Sequence, residues 1–347
     1  MLYTYLPQEQ LYLIFHHFIF HVNTETQPKM QVSWGVKLFF GAGAFWTSIL
    51  LSRVLRWIWI YARPSSIGRY LHQTDGKPAW ALVTGASDGI GRALSRESAR
   101  RGFNVLLHGR NPAKLEAVVA DLRKQFPERT FRTLIANAMA EESEMKREIE
   151  GLVEEVKDLN LTVLINNVGG MPSSVKTRFA SFDKSTWSDT ADNIALNAIF
   201  PAQLTRALLP RLIVNQPSLI MALGSMADYG QPYLAIYGGT KAFIMAWCRG
   251  LARELAVEKL DIEVLGIVTA EVTAVSHNFR KANIIMPSSW TYAKHVFDRV
   301  GCGRVVINGY WSHGILRSVL DRLPDSVVGF ILMGGMKVQK EEDAKRR

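Results

Sequence analysis

AWALVTGASDGIG, residues 79–91, passes in one short stretch from an apolar run through a glycine turn into helical spacing. The run 79–84 is short, apolar and ends at glycine, which predicts a buried strand, and the periodicity of 89–101 predicts a helix behind it. Gly85 permits a tight turn, Gly89 lets the backbone approach phosphates, and Gly91 permits close helix-to-strand packing. The helix N-terminus then faces an anion. Gly85, Ser87, Asp88, Gly89, Ile90 and Gly91 are therefore candidates for a pyrophosphate cradle. Taken alone, the triplet is also an ordinary strand-to-helix turn, and its surroundings decide between the two.

Working outward, the same alternation repeats. Short apolar runs at 103–108, 131–136, 161–165, 219–223 and 262–267 predict strands, and 112–125, 141–159, 187–209 and 235–256 carry helical patterns between them. Pro112 stands where a first helical turn tolerates it. Alternation of this kind predicts an α/β protein: a Rossmann-like, doubly wound parallel sheet with helices on both faces. The second strand ends in His108-Gly109-Arg110-Asn111. An acidic residue there receives a free ribose 2′-hydroxyl, whereas arginine accommodates a 2′-phosphate, so Arg110 favours NADP(H) over NAD(H). The bland alternative is a solvated loop arginine.

Tyr237 and Lys241, in YGGTK, lie four apart on a predicted helix and project from one face. A phenol with an ordinary pKa near ~10 is a poor acid at neutral pH, but a neighbouring ammonium stabilises its phenolate. By itself the pattern is equally an aromatic core residue beside a solvated charge.

The combination of TGASDGIG at 84–91, NNVG at 166–169, Asn197, Ser225 and YGGTK at 237–241 resembles the short-chain dehydrogenase/reductase family over about 78–275. The resemblance implies that Tyr237 protonates a carbonyl oxygen and that Lys241 binds the nicotinamide ribose and lowers the Tyr237 pKa. It implies further that Ser225 hydrogen-bonds the substrate oxygen, that Asn197 holds a water for proton relay, and that Asn167 and Gly169 border the cofactor. Asn197 and nearby Asn193 are also simple candidates to cap or kink the helix. Asn137 stands where an adenine-contacting Asp is usual, and Val272 and Thr273 are the expected nicotinamide neighbours. LVTGASDGIGRAL, INNVG, LGSMADYGQPYLAIYGGTKAF and GYWSH at 309–313 are similar, more narrowly, to fungal very-long-chain 3-oxoacyl-CoA reductases and type 12 17β-hydroxysteroid dehydrogenases. That implies NADPH-dependent reduction of a long-chain 3-oxoacyl-CoA, within fatty-acid elongation, at the endoplasmic reticulum. The implied partners are the acyl thioester or another lipid-like ketone, the bilayer, and a second copy or elongation-complex proteins.

The sequence departs from the family pattern in places. The interval from Ser225 to Tyr237 is one residue shorter than usual, which leaves Gly224 as a rival for the serine position. Thr269-Ala270 replaces a usual Pro-Gly, and the AKRR tail only partly resembles a dilysine signal. These changes suit a diverged paralogue, so a steroid or polyketide-like ketone is an alternative substrate, and a catalytically silent cofactor-binding scaffold is an alternative from another class.

The remaining composition bounds the rest. A 48% hydrophobic content supports a sizeable core, and the net charge of +10 is scattered or set beside apolar stretches, which points to a membrane surface rather than nucleic acid. Two cysteines, Cys248 and Cys302, have neither disulfide-framework nor metal-ligand spacing. Region 1–75 is read as a membrane anchor with a span at about 34–52. Arg53, Arg56, Arg63 and Arg69 follow it, placing the later chain in the cytosol, and Trp57, Trp59 and Tyr61 sit at the interface. A second apolar run, 11–22, is either interfacial or an aromatic-rich tail. The reductase domain is expected over 76–320. A substrate lid over about 275–300 includes Phe279, Ile284, Ile285, Met286 and Trp290 as an apolar wall or as routine core. The segment 321–347 joins an apolar stretch, too short to span, to a basic tail. That stretch lies on the membrane or packs on the domain.

Overall fold

A computed structural model describes residues 33–346 except 173–174, 176–178, 274 and 276–279. The run 11–22 and Phe279 lie outside the described residues. Two compact units meet in sequence between Ile58 and Trp59.

The first unit is described as a helix. Helix α1 spans Trp34–Ala62, 29 residues, or about 43 Å, which exceeds the ~30 Å hydrocarbon core of a bilayer. The expected span 34–52 is the front part of it. Phe39, Phe40, Phe45, Trp46 and Leu50 are exposed along its length. The hydroxyls of Thr47 and Ser48 donate back to the carbonyls of Gly43 and Ala44, so they need no water. Among the described residues this is the helix long and apolar enough to cross a membrane.

The second unit begins at Trp59, within the last turn of α1. Arg299, almost fully buried, donates to the carbonyls of Ile60 and Tyr61, and so satisfies helix-terminal acceptors that have no intrahelical partner. Its guanidinium lies 4.7 Å from the centre of the Tyr61 ring, and the Tyr61 hydroxyl donates to the Asn308 carbonyl at 2.9 Å. Tyr61 is therefore engaged by partners 238 and 247 residues away, which no local reading shows. Arg69 likewise pairs with Asp261.

The strands are β1 Ala79–Thr84, β2 Asn104–Gly109, β3 Phe131–Ile135, β4 Asn160–Asn166, β5 Ser218–Ser225, β6 Ile262–Thr269 and β7 Val306–Asn308. They form one parallel sheet in the order β3-β2-β1-β4-β5-β6-β7. Both faces are covered, which is why the strands read as continuous apolar runs. On one face lie α2 Gly89–Arg100 and α3 Pro112–Gln125, packed through Leu94, Leu115 and Val118. The other face carries α4 Glu142–Val156, α5 Trp187–Ile194, α6 Phe200–Val214 and α7 Ala235–Val257, packed through Ile149, Leu204, Leu208 and Met245.

The pattern 187–209, expected as one helix, is interrupted by a π turn at Ala195–Ile199. Pro201 explains the break: it has no N–H to donate to the Asn197 carbonyl, the bond an α-helix would make. Beyond β6 the structure adds elements the periodicity did not reveal. Helix α8, Ser289–Phe297, is capped by the Ser288 hydroxyl and buries Tyr292, Val296 and Phe297. Trp290 lies over Arg92 and Arg96 of α2, so it covers a helix surface and not a substrate. Helices α9 Trp311–Leu320 and α10 Asp325–Arg346 end the chain. Val328 and Met336 of α10 are buried while Phe330, Ile331 and Met333 are exposed, so the apolar stretch packs through a narrow stripe.

Candidate active site

The sheet order reverses between β1 and β4, and ligands in open α/β sheets bind beyond the strand C-termini at such a point. There the Asn167 amide donates to the Thr84 carbonyl at 2.8 Å, and the N–H groups of Asn167 and Val168 both donate to the Thr84 hydroxyl at 2.9 Å. These bonds stitch NNVG to the glycine loop. A Cβ on Gly91 would stand 2.0 Å from the Gly85 carbonyl oxygen, so the helix start packs on the turn as only glycine allows. Gly85 and Gly89 have φ of 65° and 54°, the left-handed region that glycine enters without cost. Asp88 accepts from the Gly89 N–H at 2.6 Å.

Strand alternation separates the two candidates for the serine position. A Cβ on Gly224 would meet Met245, which belongs to the core on one face; Ser225, the next residue, faces the other way. Ser225 lines the cleft with Tyr237 and Lys241, and its hydroxyl accepts from the Ala227 N–H at 3.1 Å. Lys241 is buried, donates to the Leu223 carbonyl at 3.1 Å, and lies 5.6 Å from the centre of the Tyr237 ring. Burial pushes its ammonium down to about 8. A Cβ on Gly169 would come within 2.7 Å of Asn197 Oδ1 and 2.9 Å of Lys241 Nζ, so glycine lets the three meet. The Asn197 amide group donates to the Gly170 and Asn193 carbonyls at 2.9 and 3.0 Å, and its oxygen accepts from the Gly170 N–H at 2.8 Å. Asn197 thus fixes the loop after β4, while its own carbonyl has lost its α-helical donor to Pro201.

Two clefts meet here. One of about 530 Å³ runs along the glycine loop past Asn167, Gly169, Ser225, Lys241 and Val272. The other, about 730 Å³, is lined by Phe179, Phe182, Tyr233 and neighbouring residues. Tyr237, Leu234 and Met171 border both. The first cleft suits a dinucleotide: its floor is a cradle that a Cβ would fill, and the buried ammonium has three donors, of which Leu223 takes one. Two remain for ligand hydroxyls.

Gly85, Ser87, Asp88, Gly89, Ile90, Gly91, Asn167, Gly169, Ser225, Tyr237, Lys241 and Val272 are brought together in that cleft. Four candidates stand outside its lining. Arg110 is exposed at the end of β2, beside Asn111, whose side chain is spent capping α3. Asn137 accepts from the Met139 N–H at 3.1 Å within its own turn. Thr273 is buried and turned to the Arg280 carbonyl. Asn197 sits one layer behind Gly169. His108, two residues before Arg110, is buried and stacks on Phe200 at 5.1 Å; burial pushes it down to about 4.

His313 belongs to GYWSH, and the sequence alone gives it no role. Its Nδ1 accepts from the Ala270 N–H at 3.3 Å, and its Nε2 pairs with the Ile285 carbonyl at 3.1 Å, so the neutral ring clips the loop after β6 to 283–286. Burial pushes it down to about 4, which keeps it neutral near pH 7. Thr269, in the Thr269-Ala270 replacement, meets the Tyr292 hydroxyl at 2.7 Å.

Residues 79–283 match the short chain dehydrogenase family profile. A very-long-chain 3-oxoacyl-CoA reductase of Mycosarcoma maydis is 32% identical over 78% of this chain and 76% of its own. One of the same description from Aspergillus niger is 27% identical over 92% of both. Among solved structures, a 7beta-hydroxysteroid dehydrogenase superposes with a TM-score of 0.63 at 16% identity, covering 74% of this chain and 97% of that one. A short-chain dehydrogenase from Sphingobium yanoikuyae in complex with NADPH gives 0.55 at 24%, covering 71% and 96%. These two structural likenesses carry the fold.

Proposed function

Because this chain belongs to the short chain dehydrogenase family of oxidoreductases, we propose that it reduces the ketone of a long-chain 3-oxoacyl-CoA to the 3-hydroxyacyl-CoA with NADPH, as a step of fatty-acid elongation. The carrying observation is that Tyr237 stands at the junction of two clefts, one shaped for a dinucleotide and one open to a second ligand. The names of the relatives supply the substrate class.

NADPH held along the glycine loop by 85–91, Asn167 and Lys241 would supply the hydride to the carbonyl carbon. Tyr237 gives its hydroxyl proton to the carbonyl oxygen, and the Lys241 ammonium stabilises the phenolate that remains. Lys241 also holds ribose hydroxyls with the two donors that Leu223 leaves, and Ser225 donates to the substrate oxygen. The Asn197 carbonyl holds the water through which Tyr237 is reprotonated. Arg110 would receive the 2′-phosphate, Asn137 would border the adenine, and Val272 and Thr273 would border the nicotinamide. α1 anchors the enzyme in the endoplasmic reticulum membrane with the domain 76–320 in the cytosol. Tethering suits a substrate that partitions into lipid by roughly 0.8 kcal/mol for each methylene.

The test is NADPH oxidation by the purified full chain against a series of 3-oxoacyl-CoA esters. Turnover that rises with acyl length supports the substrate; turnover on other ketones alone overturns it. Tyr237→Phe should lower kcat by about 10²–10⁴-fold, the range of general-acid contributions. Unchanged activity would sink the mechanism.

A further inference from the structure

The reaction just described makes no use of α10, yet that helix reaches the substrate cleft. Lys340 lines the larger cleft with Tyr233 and Tyr237. Its Nζ lies 4.1 Å from the centre of the Tyr233 ring, and Tyr233 has a φ of 65°, a left-handed conformation that is costly for a bulky residue and concentrates at functional sites. Lys184, in the short 3₁₀ turn Phe182–Lys184, lines the same cleft. Both lysines are exposed, whereas Phe179 is buried and Tyr237 half-buried. The other charged lining residue, Asp189, is occupied by the Thr186 N–H at 2.9 Å in a capping box. The rim thus sets two ammonium groups against one carboxylate already held in a cap, and Phe179, Phe182 and Tyr233 supply apolar surface beside the serines and threonines of the lining.

α10 is held in register with the reaction centre. Arg280 bridges Glu342 of α10 and Glu271, the latter at 3.3 Å, and Glu271 lines the cofactor cleft. An ammonium resting on an aromatic face is positioned without losing all its hydrogen-bond donors, and lysine is a compact point charge suited to phosphate. In a 3-oxoacyl thioester of CoA the negative charge lies wholly in the nucleotide carrier, since the acyl chain is apolar. We propose that Lys340, with Lys184, receives the phosphates of the CoA carrier at the cleft rim and so sets the 3-oxo carbon against Tyr237. This rests on the reading of the site as a 3-oxoacyl-CoA reductase.

The experiment compares 3-oxododecanoyl-CoA with the same acyl group on N-acetylcysteamine, which carries no phosphate, using the full chain in detergent at saturating NADPH. Lys340→Glu should raise KM for the CoA ester at least tenfold with kcat little changed, and weaken the salt dependence of that KM. The effect on the truncated thioester should stay below twofold. Lys340→Gln, which keeps the aliphatic stem, should give the same split at smaller size, and Lys340→Arg should restore the CoA ester. Equal losses on both thioesters, or none on either, would overturn the proposal. If wild type reduces neither thioester, the reading of the site itself fails.

Discussion

Lys241 is placed where it is bad for stability and good for chemistry, and the difference is measurable. A solvated lysine ionises near 10.5, and burial brings Lys241 down to about 8. At ~1.36 kcal/mol for each tenfold change in ionisation, the folded apo-protein bears roughly 3 kcal/mol for keeping this ammonium charged at pH 7. Lys241→Met keeps the stem and removes the charge, but it also removes the bond to the Leu223 carbonyl, worth about 1 kcal/mol. The variant should therefore be more stable than wild type by about 2 kcal/mol at pH 7, or roughly 4–6 °C in Tm for a domain of this size, while losing activity. The sign with pH follows from linkage: between pH 8 and 10.5 the unfolded state binds more protons, so wild-type stability rises with pH there and the advantage of Lys241→Met shrinks. Saturating NADPH should close the gap further, because ribose hydroxyls accept from the ammonium and stabilise wild type by mass action. Thermal unfolding of both proteins in detergent at pH 7 and 10, with and without NADPH, measures all of this. A variant no more stable than wild type at pH 7 would refute the reasoning.

The cradle and the cofactor preference can be tested in the same way. Gly91→Ala drives a Cβ into the Gly85 carbonyl at 2.0 Å, backbone that cannot step aside, so a loss of roughly 3 kcal/mol is expected from overpacking together with loss of NADPH binding in fluorescence titration; normal affinity would mean that the loop is not the pyrophosphate site. Arg110→Ala should raise KM for NADPH by about 10–100-fold, the worth of a charge-assisted phosphate bond, and leave KM for NADH within twofold. A parallel rise for both cofactors would assign Arg110 to structure.

The helix–strand alternation was legible, and a candidate site could be named, because both rest on local patterns. A parallel sheet follows once six apolar runs alternate with helices, and Tyr237 and Lys241 share a face through helical geometry alone. Glycines 85, 89 and 91 announce the turn because no other residue type survives there. What escaped was short or long-range. β7 has three residues, too few to show a period, and the π turn depends on a proline four residues after Asn197.

The sequence alone determined the kind of protein: a parallel sheet with a nucleotide-shaped turn, a proton donor beside a lysine, and an apolar helix ahead of them, all encoded in neighbouring residues. Only the tertiary structure decided which of Gly224 and Ser225 faces the cleft, since a one-residue difference reverses a strand's side chains and the answer lies in where Met245 packs. It alone turned Tyr61 toward Arg299, gave His313 its two backbone partners, and carried Lys340 to the substrate cleft. Each of these contacts joins residues far apart in the chain, and their pairing is set by how the packed elements come together, which no local pattern records.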